Sequence, residues 1–169
     1  HPTYERGYIM LLDELLADQR LAEAEFALNQ MKSHCGSSRV LLYRGLIQWQ
    51  KGEHEKTQNS WNEMVESYPN DWLIHSLMGD CMARTCRYEE AIQYYRKAME
   101  LQEKPHYTDS LIAIAHIYEI QGNTLKAIEA WQNVLQILQE DYGLTEGEGI
   151  DAPLREIKRL QAGIAAKKQ

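Results

Sequence analysis

In residues 87–101, RYEEAIQYYRKAMEL, the apolar positions follow a helical period, and Ala91, Tyr95 and Ala98 share one face. The same small–aromatic–small spacing recurs at Ala127/Trp131/Val134, at Thr57/Trp61/Met64 and, more weakly, at Ala24/Leu28/Met31. Successive sets are 33, 34 and 36 residues apart. Each of the stronger sets follows a second apolar segment with a small residue at a matching place: Gly45 in LLYRGLIQWQKG, Gly79 in IHSLMGDCMART and Ala115 in IAIAHIYEIQGN. A small residue there lets two helices of a hairpin approach closely. The pattern predicts four helix–turn–helix units over about residues 5–36, 38–70, 72–105 and 108–140. The first departs most, with Leu12 and Leu28 at the small and aromatic places, and the second has Thr57 where alanine is usual.

Turn residues fall between the paired segments at Asp18-Gln19-Arg20, Lys51-Gly52-Glu53, Thr85-Cys86-Arg87 and Gln121-Gly122-Asn123. Glycine at two of them suits the left-handed residue that ends a helix. Pro69 and Pro105 punctuate the ends of the second and third units, since proline cannot extend a helical hydrogen-bond ladder. Residues 141–150, which include DYGLTEGEG, read as a loop. A last helix is expected over 151–167, capped by Asp151, with Pro153 in its first turn and an apolar stripe of Leu154, Ile157, Leu160 and Ile164. Its role would be to cover the end of the array, because a terminal repeat otherwise exposes an apolar face.

A period near 34 residues with this small–aromatic pattern resembles the tetratricopeptide repeat. The resemblance implies an all-α fold: a right-handed α-solenoid of about four helix hairpins plus a C-terminal capping helix, read as one domain over 1–169. Two longer stretches, NDWLIHSLMGDCMARTCRYEEAIQYYRKAMELQEKPHYTDSLIAIAHIYEIQG and EDYGLTEGEGIDAPLREIKRL, resemble the C-terminal half of bacterial regulators in which an Xre-type helix-turn-helix domain precedes tetratricopeptide repeats. That implies a cytoplasmic sensing or interaction domain without its DNA reader. The chain starts His1-Pro2, with neither Met nor a signal segment, and is expected to be a piece of something longer.

Composition narrows the chemistry. With 44% apolar and 25% charged residues the chain has the makings of a globular core, and no apolar run approaches the roughly 18 residues needed to span a bilayer. A net charge of −7 disfavours direct nucleic-acid binding, which draws on clustered Lys and Arg. Arg155, Lys158, Arg159, Lys167 and Lys168 on the last helix read as a solvated face. Three cysteines are an odd, sparse set, which favours a reducing compartment, the cytoplasm, over a disulfide framework.

No enzymatic, metal or cofactor site is expected. Cys81 and Cys86 are spaced unlike a zinc or redox pair, and His34-Cys35 has no second ligand pair nearby. His54-Glu55 lacks the second histidine of a zincin, and Gly147 and Gly149 follow no strand that would make a phosphate loop.

The expected partner is instead a protein or peptide, with self-association also possible. In tetratricopeptide arrays the first helix of each repeat lines a concave groove. Carried over position by position, the resemblance implies Arg39, Leu42, Leu46 and Trp49 in the second repeat. It implies Asp80 and Arg84 in the third, and Asp109, Ile112, His116 and Glu119 in the fourth. The lysine–asparagine–arginine clamp that grips chaperone tails is absent: the fifth positions are Ile9, Leu42, Ser76 and Ile112. Trp49 has two readings, an aromatic anchor for a ligand or a packing residue between the first two repeats. Two functions stay open: the regulatory half of a transcription factor, or a stand-alone scaffold joining proteins.

Overall fold

A computed structural model describes residues 4–36 and 38–166. Among them the secondary structure is nine helices and no strand, so the all-α class holds. The helices are α1 (Glu5–Ala17), α2 (Leu21–Cys35), α3 (Arg39–Gln50), α4 (His54–Ser67), α5 (Trp72–Arg84), α6 (Tyr88–Leu101), α7 (Asp109–Ile120), α8 (Thr124–Glu140) and α9 (Glu148–Ala166). Lys167 and Lys168, at the expected end of the last helix, lie outside the described residues. Contacts gather the chain into two compact units, His1–Asn70 with α1 to α4 and Asp71–Gln169 with α5 to α9.

Within each unit consecutive helices pack in pairs, α1 with α2, α3 with α4, α5 with α6 and α7 with α8. The small–aromatic pattern is the reason. A Cβ at Gly45 would sit 2.0 Å from Trp61 Nε1, and one at Gly79 would sit 2.5 Å from the Tyr95 ring. The ring of one helix thus presses on bare backbone of the other, and Trp61 is fully buried by it. In the first pair Leu12 and Leu28 occupy the same places and are buried, so two medium side chains do the work of one small and one large.

The four turns share one geometry. Gln19, Gly52, Cys86 and Gly122 each take positive φ, between 57° and 76°. The next amide reaches back to close the helix end: Arg20 N to Leu15 O at 2.8 Å, Glu53 N to Gln48 O at 2.9 Å, Arg87 N to Met82 O at 2.8 Å and Asn123 N to Tyr118 O at 2.8 Å. This is the six-to-one bond of a Schellman ending, which satisfies carbonyls the helix leaves open. It places every hairpin turn where the sequence puts it.

The last helix differs from its expected form. α9 begins at Glu148 rather than Asp151, the carbonyl of Gly147 accepts from both Ile150 N and Asp151 N at 2.9 Å, and Glu148 pairs with Arg155. The earlier start places Ile150 on the packing face, which consists of Ile150, Pro153, Ile157 and Leu160 against α8. Leu154 is exposed, and Pro153 lies in the second turn instead of the first. An extra buried isoleucine contributes about 1.5–3 kcal/mol, enough to recruit a polar turn such as Glu148-Gly149 into the helix. α9 does cover α8, as a cap would.

Candidate binding faces of the first helices

The ten groove candidates divide between the two units, and each set is described within its own. In the first unit they sit on α3. Leu42 and Leu46 are only 5% and 6% exposed, so their expected place on a ligand-facing surface is corrected: they are core. The cause is local. Gly45 lets Trp61 press onto α3, whose Leu42 carbonyl accepts from Trp61 Nε1 at 3.3 Å, and the apolar neighbours on that side are covered with it. Arg39, half-buried, donates to Glu5 Oε1 of α1 at 3.0 Å. Trp49 is half-buried, its ring 4.5 Å from His54 and 6.5 Å from Trp61 by centroids. Both rings belong to α4, so these two ring contacts of Trp49 lie inside the second hairpin.

In the second unit the candidates lie on α5 and α7, which touch through Ser76 and Ser110, Oγ to Oγ 3.4 Å. Asp80 is half-buried and accepts from Tyr95 Oη at 2.7 Å. Burial, and then the neighbouring Asp80 charge, raise the Tyr95 phenol well above its ordinary range. Glu119 is likewise engaged: it takes Arg159 of α9, and Trp131 Nε1 points at it from 3.5 Å. The sequence marks Glu119 as a ligand-facing acid, whereas it ties the cap helix to α7. Arg84, Asp109 and His116 are exposed and Ile112 half-exposed, and the His116 ring stands edge-on to Trp131 at 5.4 Å.

One cluster in this unit escapes sequence reasoning. The Asp141 carboxylate, 2% exposed, accepts from His106 N at 2.9 Å, faces His106 Nδ1 at 2.5 Å and pairs with Lys104 Nζ at 3.0 Å. These partners hold it well below the usual carboxylate range, the His106 backbone amide most of all. They border a cavity of about 350 Å³ between α6, α7 and α8, floored by Met99, Leu111 and Ile137. No local motif links His106 to Asp141, because the two are brought together only by the packing of one hairpin.

Elsewhere Cys81 is buried, and burial pushes its thiol up. Cys86 is the exposed left-handed residue of its turn.

Within each unit the geometry is that of paired helical hairpins, and comparison with known proteins narrows the likeness. Residues 72–105 match the family model of the tetratricopeptide repeat. A stretch of 93 residues is 29% identical to a TPR repeat-containing protein of Methanocaldococcus jannaschii, over 55% of this chain and 16% of that protein, so the chain spans only a small part of its curated relative. Among solved structures, Pseudomonas aeruginosa pilF superposes with a TM-score of 0.60 at 14% identity, over 96% of this chain and 69% of that one. Yeast Tom70 gives 0.52 at 9% identity, over 98% and 41%. Human IFIT1 gives 0.52 at 20%, over 94% and 41%. At these identities the structural likeness shows the fold alone. Together the matches support a tetratricopeptide repeat protein, and they do not support the narrower likeness to Xre-type regulators.

Proposed function

We propose that this chain is a protein–protein interaction scaffold that reads a peptide or helix on the first-helix face of its hairpins. What carries the reading is the exposed set on the first helices of the second unit: Arg84 on α5, and Asp109 and His116 on α7 with the half-exposed Ile112 between them in sequence. Repeat arrays use such surfaces for extended recognition. Asp80 and Glu119 support the face from behind, as partners of Tyr95 and Arg159. The regulator reading adds a DNA-binding segment for which neither the geometry nor the comparisons supply a reason, and the scaffold reading accounts for the chain without it.

The test is a displayed peptide library panned on the folded chain. Selected peptides should bind at least tenfold more weakly to Arg84→Gln and to His116→Gln, with the helical circular dichroism of both variants retained, since a residue at a recognition centre costs affinity more than fold. Peptides that bind these variants as well as the parent would remove α5 and α7 as the reading face.

A further inference from the structure

The outer face of the first hairpin repeats a surface that the second unit keeps covered. In α1 and α2 a cavity of about 420 Å³ is lined by Tyr8, Leu11 and Leu15 on one side and by Ala22, Phe26 and Ala27 on the other. Counted along the repeat steps of 33, 34 and 36 residues, Tyr8, Leu11 and Leu15 correspond to Leu111, Ile114 and Tyr118. Phe26 and Ala27 correspond to Glu129 and Ala130. All five of those residues line the cavity of about 240 Å³ between α7 and α8. There the preceding helix, α6, supplies the remaining wall with Arg96 and Met99, and Arg96 donates to Tyr118 Oη at 3.2 Å. The groove between two paired helices is therefore a seat for a third.

On the first hairpin that seat is open. Phe26 is 68% exposed and Leu11 43%. It is also more apolar than its counterpart: Arg96 of α6 bonds Tyr118 in a cavity that Glu129 also lines, whereas the places of Tyr118 and Glu129 are taken on the first hairpin by Leu15 and Phe26. The rim carries Glu14, where α7 has Ile117, and beside it Arg20 and Glu23, which are paired with each other.

We propose that this groove takes an amphipathic α-helix of a partner protein, laid across α1 and α2 as α6 lies across α7 and α8. The incoming helix places an apolar side chain against Phe26 where α6 has Arg96, and a basic side chain beside Glu14. This surface is separate from the α5–α7 face and stands whether or not that face binds peptide.

The experiment uses the full chain and a labelled synthetic peptide with the sequence of residues 87–103 carrying R96L. Fluorescence anisotropy should show saturable binding that falls at least tenfold in F26E and in L11E. Both positions are exposed, so both variants should keep the parental circular dichroism and melting curve. The peptide without R96L should bind more weakly. Absence of saturable binding up to about 1 mM, or equal binding by parent, F26E and L11E, would overturn the proposal. A benzoylphenylalanine photo-crosslinker at position 26 identifies the occupant. Product at the mass of chain plus peptide supports the partner helix, whereas product at twice the chain mass or within one chain would assign the groove to a second copy or to the protein itself, and would overturn it.

Discussion

The hairpins α3/α4 and α5/α6 close in the same way and finish differently. Each presses an aromatic ring onto a glycine, Trp61 on Gly45 and Tyr95 on Gly79. Trp61 then gives its N–H to a backbone carbonyl, that of Leu42, while Tyr95 gives its hydroxyl to a side chain, Asp80. A backbone acceptor asks for no charge on α3, and its positions Leu42 and Leu46 sink into the core. A side-chain acceptor holds a carboxylate at a recognition position of α5, half-buried and already committed. One packing rule thus gives two different surfaces, decided by the polar handle of the ring.

The strongest way to break this comparison is at the rings themselves. Trp61→Ala should cost about 3–5 kcal/mol, the range for emptying a fully buried aromatic site. Gly45→Val should cost as much or more, since its side chain would enter the Trp61 ring. Combined, the two changes should cost less than their sum, because each relieves the other. Chemical denaturation of the three variants measures this, and simple additivity would show that the ring and the glycine are not one lock.

Tyr95→Phe separates packing from handle. The ring remains and the bond to Asp80 is lost, so stability should fall by about 1.5–3 kcal/mol. The raised phenol also sets a sign: a group whose folded pKa lies above its unfolded value of about 10 gives stability present below that pH and lost as pH rises beyond it. The parent should therefore lose stability above about pH 10 more steeply than Tyr95→Phe, as followed by melting temperature against pH. Parallel alkaline limbs would show that Tyr95 does not titrate on unfolding in that range.

At the acid end the expected effect is smaller and belongs to Asp141. Its carboxyl is held low, so the stability it supplies is complete above the unfolded value of about 4 and drains away as pH falls below it. Asp141→Asn should flatten the acid limb of the same melting profile. The smallest effect should be a gain. Cys86→Gly relieves a left-handed backbone of φ 59° on a residue with a side chain, and should stabilise by about 0.5–1 kcal/mol, measurable by denaturant midpoint.

Sequence reading reached the hairpins because their locks are local and periodic: Gly45 and Trp61, or Gly79 and Tyr95, recur at one spacing, and the turns carry their own backbone chemistry. It reached less of the binding face. Helical periodicity says which residues share a side of α3, but not that Trp61 presses close enough to bury Leu42 and Leu46 there. Glu119 and Arg159 lie on helices of different hairpin rank, and no period connects them. The start of α9 escapes it for a related reason. Asp151 and Pro153 form a plausible helix beginning by themselves, and only the contact of Ile150 with the rest of the unit shows that the helix has already begun.

The Asp141 cluster changes how the end of this unit can come apart. In a one-dimensional array each hairpin contacts only its neighbours, and the outermost one is free to fray first. Here the loop before α7 is fastened to the residue just past α8: His106 and Lys104 grip Asp141, and Tyr142 Oη donates to the His106 carbonyl at 3.0 Å. The segment from 106 to 141 is therefore a clasped ring, closed at its own two ends. Neither helix of the pair can peel away while the clasp holds, so amides deep in α7 and α8 should share a single opening event, and the His106 amide, though it belongs to a loop, should exchange with solvent on their timescale.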